Sequence, residues 1–285
     1  MSNISVSRAE RLDHYVAGKY PQLTRAQAAK LVDAGLVSVN GTVETKSGYK
    51  LRPADKIVID YEDTVNEQIP TIELNILYED NDCVVIEKPL GLLSHSKGGF
   101  NTEATVASWL SHRVTNLSGN RAGVIHRLDR ATSGVMICAK NPESSKWLQK
   151  QFAQRKVKKT YLAIVEGTLS EQHAVIDMPI ERNPKKPQTF RVGSNGKPAT
   201  TEYEVLAAVN GESLLELKPT TGRTHQLRVH LSKLGHPIIG DTLYGDVPAD
   251  RLYLHAHKLE ITLPNRTRQI FTIPVPESFS ARLKA

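Results

Sequence analysis

The order of strand-like and helix-like segments constrains the fold of this 285-residue chain more than any other feature. Beyond about residue 73, apolar segments of strand length come in clusters and do not alternate regularly with helices. A doubly wound parallel sheet requires a crossover helix between successive strands, so this order disfavours that architecture. The pattern predicts an α+β domain with a sizeable core, consistent with the 39% of residues that are hydrophobic.

Short apolar runs bounded by turn residues predict the strands of this larger domain, and longer runs with helical periodicity predict its helices. The predicted strands are 76–78, 83–87, 134–139, 161–166, 201–206, 213–217, 253–254 and 259–263. The predicted helices are 104–114, 144–154 and 224–234.

The first 60 residues predict a separate small module of two helices and a hairpin. Ser7 with Glu10, and Thr24 with Gln27, have the spacing of a capping box, in which two side chains cap the start of a helix. In segment 37–43, alternating valines flank Asn-Gly, a dipeptide that favours the two positive φ angles of a tight hairpin turn. A module of this size is too small for a deep pocket.

The boundaries of the module follow from the segments after the hairpin. Residues 57–59 are predicted to be its closing strand, and the acidic segment 61–72, which contains Pro70, is predicted to be a linker. We therefore expect one domain at 1–60 and a larger α+β domain at 73–285.

Cysteine content and hydropathy predict the compartment. The two cysteines, Cys83 and Cys138, both lie in apolar segments predicted as strands. They are too few for a disulfide scaffold or a four-thiolate zinc site, which favours the reducing cytoplasm. The longest uninterrupted apolar run, 135–139, is far shorter than the roughly 20 residues that cross a membrane, and the N-terminus lacks the apolar stretch of a signal peptide. We expect a cytoplasmic protein that binds no membrane.

The charge distribution indicates a polyanionic partner. Lys and Arg outnumber Asp and Glu by 37 to 30, a net charge of +7. Residues 61–80 contain six acidic and no basic side chains, whereas residues 146–197 contain eleven basic and four acidic ones. The positive charge is therefore concentrated, which predicts a basic face suited to nucleic acid.

Motifs for common cofactors are missing from the sequence. There is no G-x-G-x-x-G, no G-x-x-x-x-G-K-[ST] and no G-x-S-x-G pattern, so we expect no cofactor. Two of five histidines in the C-terminal third, His255 and His257, would share one strand face, but no cysteine accompanies them and no zinc-type spacing occurs. Structural or RNA-contacting roles are therefore favoured over metal ligation for His225, His230, His236, His255 and His257.

The segment 126–134 is the first of three that carry residues suited to chemistry. It reads His-Arg-Leu-Asp-Arg-Ala-Thr-Ser-Gly and places the Asp129 carboxylate between two arginines. Nearby guanidinium groups favour the ionised form of a carboxylate. The alternative is a surface ion pair at the start of a strand.

Two further segments contain a tyrosine and an arginine of interest. In 158–163, Tyr161 begins an apolar strand within the most basic part of the chain, and the alternative for it is a core tyrosine. In 217–230, Arg228 lies beside the apolar stripe of a predicted helix and, if partly buried, needs an acidic partner. The alternative is pairing with any nearby carboxylate.

Together these segments resemble the RluA family of RNA pseudouridine synthases. The matching patterns are H-R-L-D-x-x-T-S-G at 126–134, K-x-Y-L-A at 159–163 and P-x-T-G-R-T-H-Q-L-R-V-H at 219–230. Glu87-Lys88-Pro89 and Gly240-Asp241 add to the resemblance. It extends over nearly all of residues 73–278, and residues 1–60 resemble the small RNA-binding domain of the S-four type.

The resemblance implies both a fold and a set of roles. The implied fold is a mixed, largely antiparallel central sheet with flanking helices, joined to a small αβ RNA-binding domain. Asp129 would be the catalytic aspartate, Tyr161 the active-site tyrosine and Arg228 the basic residue that pairs with Asp129. Arg127 would contact the surroundings of a flipped-out nucleotide. Further substrate-binding candidates are His126, Arg223, Arg25 and Lys30.

The implied reaction breaks the bond between a ring nitrogen and ribose, and rejoins the uracil to the sugar through a ring carbon. An ionised Asp129 can trap or stabilise an oxocarbenium-like sugar carbon, or remove a sugar proton to give a glycal. Tyr161 could stack on the base or help to remove a proton. Arg127 could fill the space that an extruded base leaves.

The resemblance also frames the expected partners. Large-subunit ribosomal RNA is the expected target, with transfer RNA as the alternative, and a monomer is expected because no heptad pattern occurs. A non-catalytic RNA-binding or ribosome-assembly protein on the same fold is an alternative function. A nucleoside hydrolase that uses the same carboxylate is a third, although the basic surface favours a polymeric substrate.

Overall fold

A computed structural model describes residues 4–5, 9–20, 23–60, 69–96, 103–117 and 121–284. The chain divides into two compact units, a smaller one formed mainly by residues up to Ile72 and a larger one formed by most of the chain from Glu73 onward. Most of the predicted linker at 61–72 lies outside the described residues.

The described residues of the smaller unit form two helices and a four-stranded antiparallel sheet. Its elements are β1 (Ile4–Ser5), α1 (Leu12–Lys19), α2 (Arg25–Asp33), β2 (Val37–Val39), β3 (Thr42–Val43) and β4 (Lys56–Ile59). The strand order is β1-β4-β2-β3. Apolar residues of both helices, among them Leu12, Val16 and Leu31, are buried in one cluster with strand residues such as Ile57.

Local sequence signals explain these elements. The Thr24 N–H donates to Oε1 of Gln27, so the predicted capping box at the start of α2 is confirmed. Asn40 and Gly41 have φ angles of 52° and 83°, so the predicted Asn-Gly hairpin turn is also confirmed. Helix α1 begins at Leu12, and Ser7 of the other predicted capping box lies outside the described residues.

The larger unit is built on one extended sheet. Its strands are β5 (Asn75–Glu79), β6 (Cys83–Lys88), β7 (Ser133–Ala139), β8 (Lys158–Glu166), β9 (His173–Asp177), β10 (Ile180–Arg182), β11 (Phe190–Val192), β12 (Thr200–Val209), β13 (Glu212–Pro219), β14 (Leu254–Thr262) and β15 (Arg268–Thr272). Its helices are α3 (Val106–Leu110), α4 (Pro142–Ala153), α5 (Gln226–Lys233) and α6 (Glu277–Arg282).

Nine of the described strands form a mixed sheet in the order β5-β6-β7-β14-β8-β13-β12-β9, with β15 beside β14. The pairing of β7 with β14 is parallel, and the other pairings within it are antiparallel. Strands β10 and β11 form a separate hairpin. The mixed, largely antiparallel sheet confirms the α+β prediction.

Burial follows the position of each strand in this sheet. Strand β7 is buried along its whole length, whereas β13 alternates between buried and half-buried residues, so that only one of its faces is fully covered. Helix α5 packs into a cluster that includes Leu215, Leu217 and Leu231. Helix α4, capped by Asn141, packs through Leu148 into a second cluster.

Several predicted elements are confirmed and others differ. The predicted strands 253–254 and 259–263 are one strand, β14, because a bulge between Ala256 and Lys258 interrupts its pattern against β8. The predicted helix 104–114 is limited to the short α3. Strands β9 and β15 and the β10–β11 hairpin were not predicted, because each has few buried residues and therefore a weak apolar pattern. No helix in the described ranges has the length and apolar character needed to cross a membrane.

Gly134 in β7 permits the parallel pairing with β14. Its φ angle is +124°, and a Cβ at this position would collide with the backbone of Ala256, the residue paired with it. Gly211, in the turn before β13, also has a positive φ angle of +75°, but a Cβ there would meet nothing within 4 Å. The two positions therefore share a backbone conformation that strains any L-residue, and they differ in steric contact.

We expect Gly134→Ala to lower the free energy of unfolding of the larger unit by about 3 kcal/mol, since backbone strain and overpacking add. Gly211→Ala should lower the free energy of unfolding by only about 1 kcal/mol, because the φ angle at this position strains an alanine. Tryptophan fluorescence in a denaturant titration measures this unit alone, because Trp109 and Trp147, the two tryptophans of the chain, both belong to it. Equal losses for the two variants would contradict the steric argument.

Candidate active site

A cavity of about 520 Å³ brings the three sequence motifs together. The lining includes residues of 126–134, of β8 and of the loop between β13 and α5. Register explains the convergence, because Gly134, Ala256, Tyr161 and Leu217 lie in one row across β7, β14, β8 and β13. The residues that flank this row in each motif are therefore brought to the same part of the sheet.

Asp129 lies in the turn that leads into β7. Its backbone carbonyl accepts a hydrogen bond from the N–H of Thr132 at 3.0 Å, and its neighbour Leu128 is buried. The Ser94 hydroxyl donates to the Leu128 carbonyl at 2.7 Å and accepts from the Leu128 N–H at 3.1 Å. The side chain of Asp129 is 20% exposed and lines the cavity. The backbone is thus held firmly while the carboxylate stays accessible.

Arg228 is anchored by Asp241. Its Nε and Nη2 atoms donate to Oδ2 and Oδ1 of Asp241 at 2.7 and 2.6 Å, and both side chains are buried. Its Nη1 atom lies 3.9 Å from Oδ2 of Asp129. The resemblance implied that Arg228 pairs with Asp129. The bidentate partner of Arg228 is instead Asp241, and Asp129 forms a second, longer ion pair with Arg228. The arrangement directs the third nitrogen of the guanidinium toward the cavity.

His225 provides a second basic group near the same carboxylate. Its Nε2 atom is 3.8 Å from Oδ2 of Asp129, and its Nδ1 atom is 2.7 Å from the Tyr244 hydroxyl. Burial lowers the pKa of His225, so the ring is neutral at neutral pH. The five histidines singled out in the sequence all hydrogen-bond to groups of this chain.

Lys88 fixes the turn that follows Asp129. The side chain is completely buried, and Nζ donates to the carbonyls of Pro89, Leu92 and Arg130 at 2.9, 2.8 and 3.4 Å. Burial lowers the pKa of Lys88 to about 8, and the charge of Asp129 opposes this shift. A protonated Lys88 therefore places positive charge near Asp129 at neutral pH.

Lys159 and Tyr161 lie two positions apart in β8, on the same face of the strand. Tyr161 packs against the two clusters that contain Leu231 and Leu148, and it lines the cavity. Burial, together with the charge of Asp129, raises the pKa of Tyr161, so its hydroxyl stays protonated at neutral pH. Lys159 donates to the Thr221 carbonyl at 2.9 Å, and burial lowers its pKa to about 8. These two residues give the cavity an aromatic face beside a cationic one.

The predicted substrate-binding residues of the larger unit all line this cavity. His126 accepts a hydrogen bond from the Ile137 N–H at 3.0 Å and stacks on Phe152, so its ring supports β7. Burial lowers the pKa of His126 to about 3, in agreement with a neutral ring that accepts at Nε2. Arg127 is exposed, and Arg223 donates to the Pro198 carbonyl at 3.0 Å.

The two predicted binding residues of the smaller unit lie on α2. Arg25 donates from Nε to Oδ2 of Asp13 at 3.0 Å, while 55% of its side chain stays exposed. Arg11 also binds Asp13, and the hydrogen bond from Arg11 is the main reason that the pKa of Asp13 falls to about 2. Lys30 is exposed in the last turn of α2. Arg25 therefore has a structural partner as well as an accessible surface.

Four residues of the site have no role that was predicted from the sequence. Asp241 was noted only as part of a Gly-Asp pair, and Tyr244, Lys88 and Lys159 were given no role. A signal for Asp241 and Tyr244 was present in Gly-Asp-Thr-Leu-Tyr-Gly, where an Asp between glycines is typical of a capped turn. The signal for Lys88 was a lysine at the end of a strand whose first four residues are apolar.

Comparisons with known proteins assign this site to a family. The profile of the family described as RNA pseudouridylate synthase matches residues 82–233, and the S4 domain profile matches residues 10–57. An RNA pseudouridine synthase from Aquifex aeolicus described as uncharacterized is 38% identical, over 95% of this chain and 92% of its own length. A protein from Nitrosomonas europaea named ribosomal large subunit pseudouridine synthase D is 37% identical, over 96% and 84% of the two chains.

A solved structure is similar as well. Human RNA pseudouridylate synthase domain containing 1 superposes with a TM-score of 0.60 at 30% identity, and the match covers 75% of this chain and 95% of the human chain. The family profile, the full-length relatives and the fold agree with each other. This chain therefore belongs to the RluA family of RNA pseudouridine synthases, isomerases that convert uridine in RNA to pseudouridine, and it carries an RNA-binding S4 domain near its N-terminus.

Proposed function

We propose that Asp129 is the catalytic carboxylate of this enzyme and that its substrate is large-subunit ribosomal RNA. The catalytic role is supported by the position of Asp129, an accessible carboxylate that lines the cavity beside two basic side chains. Arg228, His225 and Lys88 place donors or positive charge around it. Such surroundings complement the negative charge of the carboxylate and orient it in the cavity.

The reaction needs no net oxidation or reduction. The bond from N1 of uracil to C1′ of ribose breaks, the base turns, and a bond forms from C5 to C1′, while C5 loses a proton and N1 gains one. The Asp129 carboxylate can attack C1′ or stabilise its positive charge, as carboxylates do in retaining glycosidases. It can equally remove a sugar proton to give a glycal. Both routes require the carboxylate within reach of the sugar.

Tyr161 supplies the aromatic surface of the cavity. An extruded uracil loses the stacking of its neighbours, which costs a few kcal/mol, and an aromatic ring beside Asp129 recovers part of that energy. Because the raised pKa of Tyr161 keeps the hydroxyl protonated, it is suited to donate a hydrogen bond to the base. Stacking and donation are therefore the roles that we assign to Tyr161.

The remaining basic residues are assigned to RNA binding. Arg127 and Arg223 line the cavity, and the loop between β10 and β11 exposes Lys185 and Lys186. In the smaller unit, Arg25 and Lys30 lie on the surface of α2. Lysine and arginine at such positions bind phosphates and position an RNA without reading its sequence.

This division of roles extends to the domains. We assign residues 1–60 to the RNA-binding domain, 61–72 to a linker and 73–285 to the catalytic domain. The S4 profile at 10–57 and the synthase profile at 82–233 lie within these limits and support them. We further assign the enzyme to the cytoplasm as a monomer.

The choice of ribosomal RNA is supported by the relatives. Proteins from Borreliella burgdorferi and Nitrosomonas europaea, both named ribosomal large subunit pseudouridine synthase D, match this chain over 95% and 96% of its length. Transfer RNA is the second candidate substrate. A purely RNA-binding protein on the same fold is disfavoured, because it needs no cavity that joins a carboxylate, a tyrosine and an arginine.

Asp129→Asn is expected to abolish isomerisation and to leave RNA binding intact. The amide keeps the size of the side chain but can neither attack C1′ nor stabilise its charge, so the rate should fall at least about 10³-fold. Carbodiimide-blocked reverse transcription of RNA treated with the purified enzyme detects the product, and a filter-binding assay measures the affinity. Wild-type activity in this variant would exclude the role of Asp129.

A strain without the gene is expected to lack pseudouridine at one or more positions of its large-subunit ribosomal RNA. Transcriptome-wide pseudouridine mapping in that strain and its parent makes the comparison. Complementation with the wild-type gene should restore these positions, and complementation with Asp129→Asn should not. Loss confined to transfer RNA would overturn the choice of substrate and leave the activity standing.

Replacing Lys185 and Lys186 together by Ala should weaken RNA binding and its dependence on salt. Each phosphate contact that is lost lowers the slope of log K against log [salt] by about 0.7 to 0.9, so the slope should fall by about 1 to 2. Lys284→Ala, which removes an exposed lysine of the same unit far along the chain, is the control. An unchanged slope in the double variant would place the RNA elsewhere.

A further inference from the structure

His225 is held in a strained backbone conformation directly before α5. Its φ angle is 56°, in the left-handed region that costs an L-residue about 1 to 2 kcal/mol. The ring contacts Phe190 and Tyr244 edge-on, with centroids 5.6 and 5.5 Å away. Strain of this kind persists where the surroundings determine it, and it is concentrated at functional sites. The position of the ring is therefore fixed from two sides.

The contacts of the two ring nitrogens of His225, with the Tyr244 hydroxyl and with Asp129, favour one tautomer of the ring. The Phe190 N–H donates to this hydroxyl at 2.8 Å, and the hydroxyl lies 2.7 Å from Nδ1 of His225. If the hydroxyl proton points to Nδ1, the proton of the neutral ring is on Nε2, facing the carboxylate of Asp129. The opposite tautomer would aim a lone pair at a negative charge, which is unfavourable.

His225 and Arg228 act on the same oxygen of Asp129. Nε2 of His225 lies 3.8 Å and Nη1 of Arg228 lies 3.9 Å from Oδ2. These distances are longer than a hydrogen bond, and catalytic contacts of this kind tighten when substrate fills the site. Two donors on Oδ2 leave Oδ1 to face the reacting sugar.

A short turn orients both donors. Oδ1 of Asp241 accepts the N–H groups of Leu243 and Tyr244 at 3.0 and 3.1 Å, and its carboxylate also binds Arg228. The Tyr244 ring lies 5.1 Å from the Arg228 guanidinium, while the Tyr244 hydroxyl contacts His225. Tyr244 therefore touches both basic partners of Asp129.

We propose that His225 is a positioning residue of the isomerisation, whose Nε2–H, oriented by the Tyr244 hydroxyl, holds Oδ2 of Asp129 so that Oδ1 faces the sugar. This proposal rests on the proposed role of Asp129. His225 does not serve as a general base in this arrangement, because Nε2 carries the proton and Nδ1 is occupied by the Tyr244 hydroxyl.

The test compares His225→Ala with His225→Gln. Both replacements meet the same backbone strain, but only the Gln side chain can place an N–H donor near Oδ2. Removing a hydrogen bond to a charged group should lower kcat about 10- to 100-fold in the Ala variant. The affinity for RNA should stay within about twofold, and the Gln variant should recover most of the lost rate.

Tyr244→Phe tests whether the Tyr244 hydroxyl orients the proton of the His225 ring. Without the hydroxyl, the His225 ring can adopt either tautomer, so kcat should fall several-fold while RNA affinity is unchanged. Tyr253→Phe is the matched control, since it removes a tyrosine hydroxyl that donates to Asp250 at 2.9 Å and does not line the cavity. That control should retain the wild-type kcat.

Four outcomes decide whether His225 positions the carboxylate of Asp129. Wild-type kcat in His225→Ala, with Asp129→Asn inactive, overturns this proposal and leaves the role of Asp129 standing. Equal losses in the Ala and Gln variants also overturn it, because they indicate packing alone. Activity in Asp129→Asn overturns the role of Asp129 and this proposal together. If His225→Ala fails to fold, the Gln variant and Tyr244→Phe test the proposal. An impaired kcat in Tyr244→Phe together with a near-normal kcat in the Gln variant would then support it.

Discussion

The buried ion pair between Arg228 and Asp241 is the interaction on which the rest of the active site depends. A guanidinium with 6% of its side chain exposed requires a carboxylate partner, and Asp241 provides one with two short hydrogen bonds. The same carboxylate caps the turn that carries Tyr244. One buried charge pair thus fixes α5 against this turn and determines what faces Asp129.

The central sheet explains why residues far apart in sequence meet at one cavity. Asp129 precedes β7, Tyr161 lies in β8, and the loop with His225 follows β13. Because β14 pairs with both β7 and β8, and β8 pairs with β13, these three motifs come from the same part of the sheet. Gly134 permits the close parallel contact in this row. The catalytic geometry is therefore a consequence of strand order and register.

Much of this arrangement could be predicted from the sequence, because it rests on local signals and on motifs that keep their order. The capping box at Thr24, the Asn40-Gly41 turn and strand β7 with its apolar run at 135–139 rest on local signals, and the structure contains each of them. Asp241 as the partner of Arg228 was not predictable, since any carboxylate could satisfy a buried arginine. The orientation of His225 depends on a tyrosine 19 positions later, and β9 and β15 have exposed, weakly patterned residues.

A structure of the enzyme bound to its RNA tests the central claim most directly. The account predicts a uridine extruded from its stack into the cavity, with its base against Tyr161 and an Asp129 oxygen about 3 to 3.5 Å from the reacting carbon of the ribose. A complex in which the target ribose lies beyond the reach of Asp129, or in which the base stays stacked in the RNA, would contradict it.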